Sequence, residues 1–61
     1  MWTPTIEFPG IRVSHAVFDL NDKTTVCGQR VPQGYAIRSK QPRKPDCRQC
    51  ERTLRIVESD S

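Results

Sequence analysis

Apolar residues in this chain come in short runs whose period changes along its length. From Ile11 to Phe18, reading IRVSHAVF, they alternate: Ile11, Val13, His15 and Val17 share one face, while Arg12, Ser14, Ala16 and Phe18 take the other. Period two predicts a β-strand, and it turns His15 the same way as three aliphatic side chains, toward an interior. Asp19-Leu20-Asn21-Asp22-Lys23 is built from residues that tolerate bends and predicts a turn. Thr24-Thr25-Val26-Cys27 then reads as a returning strand. Gln29-Arg30-Val31 and Tyr35-Ala36-Ile37-Arg38 suggest a second short hairpin around Pro32-Gln33-Gly34. Beyond Pro45 the period becomes helical. Cys47, Cys50, Leu54 and Val57 fall within an arc of about 80°, and Arg48, Arg52 and Arg55 within about 60° on the opposite side. Asp46 is the expected N-cap of this helix, residues 46–58, with Gln49 completing a capping-box-like pair.

Two segments lack a period. Residues 1–10 hold Pro4, Pro9 and Gly10 with Trp2, Ile6 and Phe8 between them, and read as an extended arm laid on the core. Trp2 is read there as packing material in preference to a base-stacking surface. Residues 39–45, SKQPRKP, have no apolar side chain and read as a flexible basic loop. A polar tail, Glu58 to Ser61, is expected to fray. The elements add up to a single small α+β domain, 1–61, of one or two β-hairpins followed by a C-terminal helix.

Sixty-one residues with 34% apolar content and five prolines leave little to bury. A domain this small usually needs a metal or disulfides to supplement its core. Three cysteines suit a disulfide framework poorly, whereas three thiolates and one imidazole make a tetrahedral set. Cys47-x2-Cys50 supplies two ligands at preset geometry, and Cys27 and His15 are the remaining thiol and the sole histidine. The predicted site is therefore His15, Cys27, Cys47 and Cys50 around one structural Zn2+, with Asp46 or water as substitutes for a ligand. Gly28 strengthens it, because the residue after a knuckle cysteine often needs positive φ. A redox Cys-x-x-Cys pair would need a larger βαβ fold. Catalytic zinc would need an open position, and an iron–sulfur centre is a minor alternative.

Met1-Trp2-Thr3-Pro4 lacks a basic start and an apolar run, so no signal peptide is expected. No window is long enough to span a bilayer. A reducing cytoplasm is the expected home, where cysteine clusters read as metal sites. Charge adds a direction. Between Arg30 and Arg55 eight basic residues face two acidic ones, a local net of +6 in a chain of net +3. The remainder is thus acidic, and the asymmetry points to a polyanion, an acidic protein surface, or simply a solubilising face.

His15 in a first strand, Thr25 leading into Cys27-Gly28, Cys47-x2-Cys50 opening a terminal helix and, more loosely, Arg52 form a familiar pattern. It resembles a group of small zinc-finger proteins found in actinobacteria and their bacteriophages. The resemblance spans residues 15 to 54 and implies a treble-clef-like or zinc-ribbon-like fold, without specifying an activity. The expected role is a non-enzymatic module that binds DNA or RNA through Arg38, Lys40, Arg43, Lys44, Arg48, Arg52 and Arg55. The alternative is a protein–protein adaptor, phage-encoded, that docks on a host protein such as the transcription machinery through Ile56, Ile37, Tyr35 and Trp2. No acid/base or nucleophile constellation accompanies the metal ligands, so neither an enzyme nor a small-molecule substrate is expected, and no membrane.

Overall fold

The computed structural model describes residues 1–60. Three strands and one helix follow in order: β1 (Thr3–Glu7), β2 (Ser14–Ala16), β3 (Ala36–Arg43) and α1 (Arg48–Ser59). The strands form one antiparallel sheet in the order β2-β1-β3. The protein is thus the small α+β domain with a C-terminal helix that its patterning predicts. The central strand comes from an unexpected place. Residues 1–10 are not an arm beside the core, because Thr3–Glu7 is the strand both others pair with. Its β-branched Thr3, Thr5 and Ile6 are all buried, which is the environment such side chains favour. Pro4 masks the signal in the sequence. It lies where the register against β3 slips, and its carbonyl accepts from the Val17 N–H. Trp2, just before the strand, keeps 37% of its surface exposed and is covered over the rest.

The strand expected over residues 11–18 shrinks to Ser14–Ala16, opposite Thr5 to Glu7. Ile11 and Val13 are exposed, whereas Ser14, His15, Ala16 and Val17 are all buried. Alternation therefore gives way to burial of consecutive residues. The cause is location: β2 has β1 on one side and takes α1 and the Thr25–Cys27 turn on the other.

Thr24 to Cys27 is not a returning strand. One bridge, Thr24 to Arg30, closes a tight loop instead, in which Thr25 N–H bonds Gln29 O and Gly28 N–H bonds Thr25 O. The second hairpin, 29–38, is likewise absent among the described residues. Gly34 takes the expected turn, at φ 83°, but Ala36–Arg43 then pairs with β1. This strand absorbs most of the segment 39–45 that read as a loop. An edge strand explains the misleading sequence. Only one of its residues is even half-buried, so it needs no apolar face, and lysine and proline are what edge strands tolerate and use to resist further pairing.

The helix begins at Arg48 with Cys47 as N-cap and no side-chain cap, so Asp46 is not the cap and the expected box with Gln49 does not form. Asp46 serves a longer-range contact. Its N–H donates to Ser14 Oγ at 2.9 Å, its carboxylate accepts from Ser14 N–H at 3.4 Å, and Cys47 N–H bonds Ser14 O at 2.9 Å. These bonds tie the start of the helix to β2. Cys50 and Leu54 point inward and are fully buried, but Val57, expected beside them, is 37% exposed. The helix continues to Ser59, past the expected onset of fraying at Glu58; the last residue of that tail, Ser61, lies outside the described residues. Ile6, Ala16, Val17, Cys50 and Leu54 form the apolar core. No described helix is long and apolar enough to cross a membrane.

One core group is a liability. Thr5 is fully buried, and its hydroxyl has no hydrogen-bond partner among the described residues. An unsatisfied buried hydroxyl costs about 1–3 kcal/mol. Thr5→Val keeps the β-branched shape and removes that cost, and should stabilise the metal-loaded protein by about 1 kcal/mol in urea unfolding. A loss of stability would show that the hydroxyl is bonded in solution.

Candidate metal centre

Three separate pieces of chain deliver the four predicted ligands to one point. His15 comes from β2, Cys27 from the tight loop after it, and Cys47 and Cys50 from the first turn of α1. One ligand atom from each lies within 4.8 Å of every other. His15 Nδ1 is 3.7 Å from Cys27 Sγ and 3.9 Å from Cys50 Sγ, and Cys47 Sγ is 4.0 Å from Cys27 Sγ. A disulfide would need about 2.05 Å between sulfurs, and all three thiols are free. Donors about 2.0–2.3 Å from a tetrahedral ion stand roughly 3.5–3.8 Å apart. The observed separations are close to the edges of such a tetrahedron. The residues present therefore fit a single metal ion.

Local structure explains why each ligand points there. Thr25 N–H to Gln29 O and Gly28 N–H to Thr25 O, 2.8 and 2.9 Å, fold the loop so that Cys27 projects from its tip. Gly28 sits at φ 92°, the positive value anticipated from its place after the cysteine. A side chain there would meet nothing within 4 Å, so the requirement for glycine comes from backbone conformation and not from space. Its amide bonds Thr25 O, closing the turn. His15 is set by the Ile6 pairing in the sheet and by Phe8, whose ring stacks on the imidazole at 4.4 Å and 19°. Phe8 was expected only to line the core.

The thiols are supported unequally. Cys50 is fully buried and accepts Ala16 N–H at 3.4 Å. Burial pushes its thiol up to about 12 in the metal-free protein. Burial also raises Cys27, but hydrogen bonds from Thr25, Cys50, Gln29 N–H and Cys47 outweigh it and bring its pKa below the ordinary value. Thr25 is central to that difference. Its hydroxyl is 3.1 Å from Cys27 Sγ and accepts Gln29 N–H at 3.1 Å, so its one proton is left for the sulfur. Burial lowers the pKa of His15 and keeps it neutral, the form a metal requires. A cation at the centre inverts the logic for Cys50, since it favours the thiolate that the empty pocket penalises. Thr25, Ala16 and Phe8 were missed as supports. A Thr-x-Cys-Gly run with a buried threonine was the available signal for Thr25, whereas Ala16 and Phe8 depend on pairing that only the fold supplies.

The seven basic residues expected to contact nucleic acid are all exposed, in two groups. Arg38, Lys40 and Arg43 lie on β3 with Lys44 directly after, and Arg48, Arg52 and Arg55 lie on α1. Glu51 joins the groups, 3.0 Å from Arg55 and 3.6 Å from Lys44, and Arg38 is 3.9 Å from Glu7. Among the described residues Lys40, Arg43, Arg48 and Arg52 have no ion pair. No family model, curated protein or solved structure matches this chain.

Three outcomes follow for the centre. Cys50→Ala removes a buried ligand and should abolish stoichiometric metal binding and the folded far-UV spectrum together. Thr25→Val removes only the hydroxyl on Cys27; it should fold but hold metal about 10–100-fold more weakly, read by chelator competition. Because the ligands bind deprotonated, metal should be released as the pH falls from about 8 to about 5, and earlier on that descent in Thr25→Val. Identical release curves for the variant and the parent would remove Thr25 from the account.

Proposed function

We propose that this protein is a non-enzymatic zinc module that binds nucleic acid through the cations of α1 and β3. Zinc is favoured by the donor set, since three thiolates and one imidazole in tetrahedral array suit that ion, and four protein ligands leave no open position for catalysis. Binding the ion would contribute on the order of 10–16 kcal/mol to folding, which a core of so few side chains needs. The cytoplasm, where thiols stay reduced, is the compartment that suits such a centre. The zinc-finger group of actinobacteria and their phages that the pattern resembles is a fitting home for it.

One observation carries the nucleic-acid reading: Lys40, Arg43, Arg48 and Arg52 project from rigid elements with no ion pair among the described residues. Cations held on a sheet edge and one helix face, without carboxylates to neutralise them, match a phosphate backbone. Arg48→Ala and Arg52→Ala should each weaken binding to all sequences alike and reduce the slope of log K against log salt by about one. Fluorescence anisotropy with labelled DNA and RNA across a salt series measures this. Affinity that is absent at low salt, or indifferent to salt, would end the reading.

A protein partner is the second reading, supported by Ile56 and Val57, which are exposed side by side on α1. Capture from a host lysate after nuclease treatment separates the two. A partner that survives nuclease and is lost in Ile56→Asp supports the adaptor.

A further inference from the structure

We infer that Trp2 is a base-stacking platform, and that the nucleic acid this surface takes is single-stranded. The inference rests on the nucleic-acid reading above and narrows it to a ligand class. Thr3 pairs with Arg43, so Trp2 stands one residue from the cationic end of β3, where Lys44 follows. On its other side Met1 is bonded through its amine to Glu58 on α1. Trp2 is therefore held between a residue paired with the end of β3 and a residue bonded to α1. Lys44 reaches Glu51 of the same helix at 3.6 Å.

Burial supports the same assignment. Trp2 is covered over most of its surface but keeps 37% of it exposed, in a chain with few aromatic residues, so part of the residue is open to a ligand. The other aromatics are placed for other work. Phe8 is stacked on His15, and the Tyr35 hydroxyl bonds Leu20 O at 3.3 Å. Phe18 follows β2, at the far edge of the sheet from β3. Among the four aromatics, Trp2 is the one whose neighbour in sequence pairs with the basic end of β3. An indole next in sequence to a residue paired with Arg43 brings together the two components that single strands use, because unpaired bases offer π-faces to stack on while cations track the backbone. Duplex bases are already stacked on one another and leave the indole nothing to accept.

The chain has a single tryptophan, so its emission reports this site directly. Metal-loaded protein is titrated at low salt with a short oligothymidylate and, separately, with a duplex of equal length. Quenching of the indole in step with oligothymidylate saturation, with weaker duplex binding, is the expected result. Trp2→Ala should bind the single strand about tenfold or more weakly, and Trp2→Phe should recover most of the loss. Retained metal stoichiometry and far-UV spectrum show that each variant is folded. Binding by anisotropy without change in emission, or equal affinity in Trp2→Ala, overturns the stacking platform and leaves the nucleic-acid function standing. Duplex binding as tight as single-strand binding overturns the ligand class. No binding to either overturns the nucleic-acid function and this inference with it.

Discussion

The convergence of His15, Cys27, Cys47 and Cys50 within 4.8 Å is the constraint on which the structure depends. Those four residues come from a sheet strand, a tight loop and a helix, so one ion bound there would clamp β2, the loop and α1 together. Without it the geometry is hard to justify. Cys50 is fully buried, and in the metal-free state its thiol is held far above its ordinary pKa by that burial. Polar groups brought into a small interior need a compensating partner, and thiolates around a divalent cation have one. The hydrogen bonds between Ser14, Asp46 and Cys47 do the preparatory work. They set the helix N-terminus against β2 independently of the metal, so that Cys47 and Cys50 arrive beside His15 already oriented.

The residues of this centre were legible because ligand chemistry is local. Cys-x-x-Cys on a helix start, glycine after a lone cysteine, and one inward histidine each carry their meaning within a few positions. The sheet was not legible for the complementary reason. β1 is central by virtue of partners up to 40 residues away, such as Arg43 for Thr3, and Pro4 argues locally against a strand. β3 is a strand because β1 offers it an edge, not because its side chains have a face to bury. Alternation in residues 11–18 was read correctly for His15 and wrongly for Ile11 and Val13, since period two records a face only where something covers it. Asp46 resembled a helix cap in sequence and is bonded to Ser14 instead. Tertiary bonding decided between two uses of one side chain.

The helix couples stability to surface chemistry. Cys50 and Leu54 must face the metal and the core, and at 100° per residue that places Arg48 and Arg52 in solvent whatever else the sequence does. Glu51 lies between those faces and takes up Lys44 and Arg55, so the helix presents a focused pair of cations and not a uniform stripe. Surface ion pairs of this kind are worth little to stability, about 0–1 kcal/mol. Their consequence is positional: Lys44, directly after β3, is held within reach of Glu51 on α1. A fold whose four candidate ligands draw a helix against a three-stranded sheet thereby fixes the outward direction of that helix's cations as well. The inward and outward faces of α1 are thus one constraint: turning Cys50 and Leu54 to the interior is what turns Arg48 and Arg52 to solvent.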